Sequence, residues 1–347
     1  MSELRKDPIL DRWVIVAAER GRRPTDFIHA ADPPSGAFSP FAAGNESKTP
    51  PEIMQIGRAS DAPADSPGWR VRVVPNKFPA LSSAGEVDFR GQGLYDVMNG
   101  VGAHEVIIEH TSPSWDMAEA TPAEMRDVLQ AYGLRIGALQ EDSRFHYVMV
   151  FRNQGVAAGA TIAHPHSQVI ALPIIPSQVE EKLRAAREFF GRKKRSIFAD
   201  LLRHERENGT RIVEESEHFV VMSPFAARFP FELQIFPKRH NHDFADQSGE
   251  ELEALGVALQ RSLKRIGRAL DHPAYNLMLN TSPNLLLAAG AAAGRPRLWE
   301  TIDRDFCWHI DILPRLTRVA GFEWGTGFYI NPVSPEQATQ FLREVSV

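Results

Sequence analysis

The strongest constraint on this chain is an internal repetition. Strand-like runs lead into a long helix, then a strand, a loop and another strand, and the order then recurs. In the first pass, "TPAEMRDVLQAYGLRIGALQED" is helical, with Thr121 placed to cap it and Glu124 three residues on. "HYVMVFRN" and "SQVIALP" are its strands. In the second pass, "SGEELEALGVALQRSLKRIGRAL" is an amphipathic helix, and "YNLMLNTSP" and "FCWHIDILPRL" are strands. Aligned this way, His164-x-His166-x-Gln168 falls on Cys307-x-His309-x-Asp311. The pattern predicts a duplicated α+β unit. The length of 347 residues agrees, since a single core rarely grows beyond about 250–300 residues.

The rest of the chain fills in around this repeat. Residues 24–68 are rich in Pro, Gly, Ser and Ala and read as irregular structure, an extended arm. "WRVRVVPNKFPAL" and "GAHEVIIEH" read as strands, and residues 177–207 as one charged helical stretch. Its "GRKKR" cluster is a solvated helix face, because acidic residues flank it. "LLLAAGAAAG" reads as a flexible loop. Net charge is −5, so no basic excess points to nucleic acid. No apolar run approaches the roughly 18 residues of a membrane span. The single cysteine, Cys307, rules out a disulfide within the chain. The opening "MSELRKDPILDRW" has no apolar core of a secretory signal, so a cytoplasmic location is expected.

Chemistry concentrates in "ATIAHPHSQVIALP". Residues two apart share a strand face, so His164, His166 and Gln168 project together. Pro165 stiffens the pair. A neutral imidazole can attack phosphorus and form a phosphoramidate. A glutamine can donate a hydrogen bond to the phosphoryl oxygen as charge develops there. The small-residue loop upstream can bring backbone N–H groups to a phosphate. Thr161 adds a hydroxyl and Asn153 ends the preceding strand. Two rival readings stand beside this one. The histidines can be ordinary structural residues, or a metal clip, although a closed zinc site needs about four ligands.

Longer motifs carry a resemblance. "LRKDPILDRWVIVAAERGRRPTDF", "SPFAAGNESKTPPEI", "VPNKFPAL", "HPHSQVIALP" and "WHIDILPRLTRVAGFEWGTGFYINP" occur in the order seen in the galactose-1-phosphate uridylyltransferase family of the histidine-triad superfamily. The resemblance covers nearly the whole chain. It implies two histidine-triad-like domains, 1–176 with the HPHSQ motif and 177–347, each an antiparallel sheet with packed helices. It implies a ping-pong transfer of UMP from UDP-glucose to galactose 1-phosphate through a nucleotidyl-His166 intermediate. His164 then supports the nucleophile through its carbonyl, and Gln168 steadies the phosphoryl group. Asn153 and Thr161 match phosphate-contacting positions. Asn76, Lys77 and Phe78 match the segment holding base and ribose. Arg20 and Arg23 match arginines that approach the phosphates across a homodimer interface, and Phe322 and Glu323 match the part that contacts the hexose.

Departures from the family pattern sharpen the expectation. Many members carry two cysteines where this chain has Ser39 and Ala42; with two histidines, here His110 and His164, those hold a structural zinc. No zinc or other cofactor is expected here. A second family metal site uses a glutamate and three histidines. Here Asn280 and Cys307 stand at two of those positions, His309 at the third, and the glutamate's register near Glu180–Glu181 is open; this site is expected to be lost too. Three functions follow: the uridylyl transfer above, an adenylyl transfer resembling ADP-glucose phosphorylase, and a catalytically silent nucleotide-binding protein. A chelator-sensitive metal hydrolase is a weaker fourth.

Overall fold

In the computed structural model, residues 2–17, 27, 38–285 and 299–347 are described. The first half contributes β1 (Glu3–Lys6), β2 (Trp13–Val16), β3 (Met54–Ile56), β4 (Val71–Pro75), β5 (Arg90–Gln92), β6 (Tyr95–Val97), β7 (Ala103–Ile108), helix α1 (Pro122–Gln140), β8 (Tyr147–Gln154) and β9 (His166–Leu172). Then follow α2 (Ser177–Lys193), α3 (Ile197–Asn208), β10 (Ile212–Glu215), β11 (Phe219–Met222) and β12 (Leu233–Pro237). The chain continues through α4 (Gly249–Leu270), β13 (Tyr275–Asn280), β14 (His309–Pro314) and β15 (Tyr329–Asn331), with a helix at Pro335–Glu344.

Ten strands form one sheet in the order β10-β11-β12-β14-β13-β8-β9-β7-β4-β3. Every neighbouring pair is antiparallel. Read outward from the β8–β13 seam, the two wings match strand for strand. The duplicated unit is therefore α+β with antiparallel sheet, and the two half-sheets are continuous. A small separate sheet joins β1, β2 and β15, with β15 parallel to β2.

Alternation along the strands decides which face does what. Val148 and Val150 of β8, Val169 and Ala171 of β9, Leu277 and Leu279 of β13, and Ile310 and Ile312 of β14 point into one core beneath α1 and α4. Residues between them point to the opposite face. There α2 and α3 cover the second wing through Leu183, Ala186, Ile197 and Phe198. The first wing is instead covered by Phe41, which packs with Trp69, Val74, Val106 and Ile108. Both long helices start where the sequence predicts. Thr121 with Glu124, and Ser248 with Glu251, form capping boxes, each satisfying otherwise orphaned N-terminal N–H groups.

One expectation is refined and one corrected. Residues 177–207 are helical, as two helices with a break after Lys193. Lys194 turns left-handed at φ 58°, and the Ser196 hydroxyl accepts from the Phe198 and Ala199 amides, opening a new helix. The stretch 24–68 is not wholly irregular: β3 pairs with β4 and adds the edge strand of the sheet. Three residues are too few to show a period.

Candidate active site

His166 is the first residue of β9, on the face away from α1, and is buried. Its Nδ1 lies 2.7 Å from the His164 carbonyl oxygen. A carbonyl only accepts, so Nδ1 carries the proton and donates, and the Nε2 lone pair is exposed to chemistry. Among the described residues Nε2 has no hydrogen-bond partner. Burial lowers the proton affinity of the ring, against the opposing pull of the His164 carbonyl and the Glu109 charge. The ring edge of Phe41 packs on it with centroids 5.4 Å apart. The site thus holds a neutral, oriented imidazole.

His164 is also buried, and both its nitrogens are used. Nε2–H donates to the His110 carbonyl at 2.7 Å, which leaves Nδ1 to accept from the Ser39 hydroxyl at 2.9 Å. His110 turns elsewhere: its Nδ1 accepts from the Ser112 amide at 3.0 Å, its Nε2 lies 3.5 Å from Glu124, and its ring stacks on Trp115. With no thiolate at Ser39 or Ala42, this donor set does not fit a tetrahedral zinc ion. A Ser39–His164 hydrogen bond stands in that place.

The same face carries the neighbours. β8 and β9 pair Phe151 with Gln168 and Arg152 with Ser167, and Asn153 and His166 are the next residues of the two strands. Gln168 Oε1 lies 2.7 Å from His104 Nε2, and Asn153 Oδ1 accepts from Asn276 Nδ2 at 2.8 Å. The loop between Asn153 and His164 turns on two glycines with positive φ, Gly155 at 83° and Gly159 at 92°. Thr161 lies on it, exposed. Asn76 sits beside the site, with its Nδ2 3.1 Å from His104 Nε2 and its Oδ1 accepting from the Phe78 amide at 2.9 Å. Lys77 and Phe78 are solvent-facing; Phe78 is 83% exposed, an aromatic with an open face.

Beneath β9, on the core side, lies a buried polar network that the sequence did not disclose. Glu109 accepts from Arg152 Nε at 2.9 Å and from the hydroxyls of Ser167 and Tyr132. Arg152 in turn donates to the Tyr275 hydroxyl at 2.6 Å. His104 and Asn276 were missed as well. His104 lies in a run read only as strand, and Asn276 is more than 100 residues from Asn153 in sequence.

Phe322 and Glu323 are not brought to His166 within the chain. The Glu323 carboxylate accepts from the Ala320 amide at 2.9 Å, and its side chain lines a cavity with Arg228, Arg318 and Tyr329. Among the described residues no hydrogen bond or ring contact links Phe322 or Glu323 to His166. Arg20 and Arg23 lie outside the described residues, as does most of the "LLLAAGAAAG" loop.

The second wing repeats the arrangement with other groups. His309 Nδ1 donates to the Cys307 carbonyl at 3.0 Å, and Asn280 pairs directly opposite His309. Here, however, Lys182 from α2 closes the site: its Nζ donates to Asn280 Oδ1 and to His309 Nε2, both at 2.9 Å. Burial would raise the Asp311 carboxyl, yet Lys182, His309 and Arg228 hold it below the usual carboxylate range. These residues do not fit a metal ion, because an ammonium already occupies the position of the ligands' convergence. No group of three or more His, Cys, Asp or Glu side chains able to hold a metal is found among the described residues.

Comparison with known proteins agrees with this geometry. Residues 1–176 match the family model described as galactose-1-phosphate uridyl transferase, N-terminal domain, and residues 182–279 match the corresponding C-terminal domain. ADP-glucose phosphorylase of Arabidopsis thaliana is 35% identical over 99% of this chain and 93% of its own length. Its crystal structure with bound ADP-glucose superposes at a TM-score of 0.81 with 32% identity, covering 100% of both chains. Galactose-1-phosphate uridylyltransferase of Thermotoga maritima is 27% identical over 100% of this chain and 99% of its own. The chain is a nucleotidyltransferase and belongs to the galactose-1-phosphate uridylyltransferase family.

Proposed function

We propose that this enzyme transfers a nucleotidyl group from a nucleoside-diphosphate hexose by way of His166. The observation that carries the reading is the Nδ1–H bond to the His164 carbonyl, which leaves a neutral Nε2 as the only unused nitrogen of the histidine pair. Nε2 attacks the α-phosphorus and the P–O bond to the hexose 1-phosphate breaks, its electron pair leaving with that phosphate. Positive charge spreads over the substituted ring, and the carbonyl stabilises it through the Nδ1–H bond. A phosphate oxygen of the acceptor then attacks the same phosphorus and His166 leaves. Gln168, Asn153 and Thr161 serve the phosphoryl oxygens, Phe78 and its neighbours the base and ribose. His164, tied to Ser39, is left with support of the nucleophile alone, and the fold needs no zinc.

Two donor readings are carried by different observations. Uridylyl transfer from UDP-glucose to galactose 1-phosphate is supported by the family models over both halves. Adenylyl transfer from ADP-glucose to inorganic phosphate is supported by the higher identity, 35% against 27%. Incubation with each α-labelled nucleotide sugar tests both. Acid-labile label on the protein with one donor, absent in His166→Gly, is expected. No label with either donor, or equal label in the variant, sinks the reading and favours a silent binding protein.

A homodimer fits the placement of Phe322 and Glu323, which in this reading serve the partner's His166, as do Arg20 and Arg23. The turn of the β5–β6 hairpin supports it, exposing two large side chains together: Leu94 is 93% and Tyr95 72% exposed. Light scattering on the eluting peak gives the mass; a monomer that is active refutes this part. The cytoplasmic location rests on the lone, reduced Cys307; no described helix is long and apolar enough to cross a membrane.

A further inference from the structure

Two amides face the phosphoryl position, and an amide presents either a donor or an acceptor depending on which way it is turned. Near-equal shapes mean that packing alone does not choose; hydrogen bonds do. At Asn153 the choice traces to a backbone carbonyl. Asn276 Nδ2 donates to the Ala158 carbonyl at 2.9 Å, which accepts only, so the Asn276 NH2 group is fixed there. The same NH2 group meets Asn153 at 2.8 Å, so Asn153 turns its oxygen toward Asn276 and its own NH2 away. At Gln168 no single choice is fixed in this way, because His104 meets a donor at each ring nitrogen: the Ala80 N–H at Nδ1 (3.2 Å) and the Asn76 NH2, whose oxygen is held by the Phe78 amide, at Nε2 (3.1 Å), beside Gln168 Oε1 at 2.7 Å. Among the described residues Asn153 Nδ2 has no partner.

Strand pairing puts all four residues on one face. Asn153 lies across from Asn276; on its other side it follows the Phe151–Gln168 and Arg152–Ser167 pairs, next to His166 at the start of β9. We propose that Asn276 is a positioning residue, which acts by locking the amide of Asn153 with its N–H group toward the phosphoryl oxygens. This rests on the nucleotidyl-transfer reading above and deepens it. The second half of the chain thereby completes the site of the first: Asn276, on β13, pins both Asn153 and the glycine loop. Oxyanion donors help most when their orientation is set before charge develops, because no reorganisation is then needed during reaction.

Asn276→Asp is the sharpest test, since a carboxylate keeps the shape but cannot donate. Asn153 must then turn its NH2 to the new carboxylate and present oxygen to the phosphate. The expected result is a fall in kcat on the order of 10²-fold, with KM changed far less. In an Asn153→Ala background the same change should cost under about 3-fold, because the coupling it breaks is already gone. Full kcat in Asn276→Asp overturns the inference, as does an equal loss with and without Asn153. Absence of labelled intermediate in the wild type overturns the underlying reading instead, and the inference with it.

Discussion

Glu109→Gln removes one charge from the buried network beneath β9 with almost no change of shape. Glu109 and Arg152 are each about 1% exposed, so water does not replace what is lost. One Glu109 oxygen, Oε1, accepts from Arg152, Ser167 and Tyr132, while Oε2 accepts from Arg152 alone. An amide NH2 can replace either. If it replaces Oε1, the two hydroxyls can reverse and accept, but one Arg152 bond is lost. If it replaces Oε2, donor faces donor at Arg152, which has no acceptor to offer. Either way a guanidinium stays buried without its counter-charge. Removing one member of a buried ion pair costs about 3–5 kcal/mol, and the surviving hydrogen bonds place this change near the lower end, about 3 kcal/mol. That is a large share of a typical stability of about 5–15 kcal/mol. Urea unfolding followed by far-ultraviolet circular dichroism measures it. Arg152→Met alone should cost about as much, and the double variant should cost clearly less than the sum, because no lone charge remains. A loss under about 1 kcal/mol for Glu109→Gln, or additivity in the double variant, refutes the account of a coupled pair.

Four further outcomes can be checked. Burial holds His166 below the ordinary imidazole value of 6.5, so the rate of label formation should persist as pH falls through 6.5 and decline only below it; a limb centred above 6.5 contradicts this. The unfolded chain takes up that proton first, so this group's share of stability is present above 6.5 and is lost as pH falls below it, which acid-range melting temperatures can follow. Wild-type protein should keep no zinc after dialysis and should keep its activity with chelator, whereas Ser39→Cys with Ala42→Cys should retain about one zinc per chain by elemental analysis; zinc in the wild type, or none in the variant, contradicts the Ser39–His164 substitution. Lys182→Met strips donors from His309 Nε2 and Asn280 Oδ1 and should cost about 2–3 kcal/mol in urea unfolding; a loss under about 0.5 kcal/mol means that the ammonium holds nothing there.

The sequence by itself determined whatever is local and repeated. The capping box at Thr121 announces its helix because a cap is a local event within one turn. His164, His166 and Gln168 declare a shared face because strand periodicity is two. The replaced cysteines at Ser39 and Ala42 are plain substitutions and can be read without coordinates. Only the tertiary structure decided what depends on distant partners. Asn276 reaches Asn153 across the β8–β13 seam, and no period links residues that far apart. Lys182 closes the second wing because α2 folds over it, and the uncertain register near Glu180–Glu181 becomes definite only there. The break at Lys194 comes from Ser196 competing for backbone N–H groups, a choice that helical periodicity does not register. The orientation of the Asn153 amide is the clearest case: the residue is named by the sequence, but which atom it presents is set by hydrogen bonds that exist only once the strands are paired.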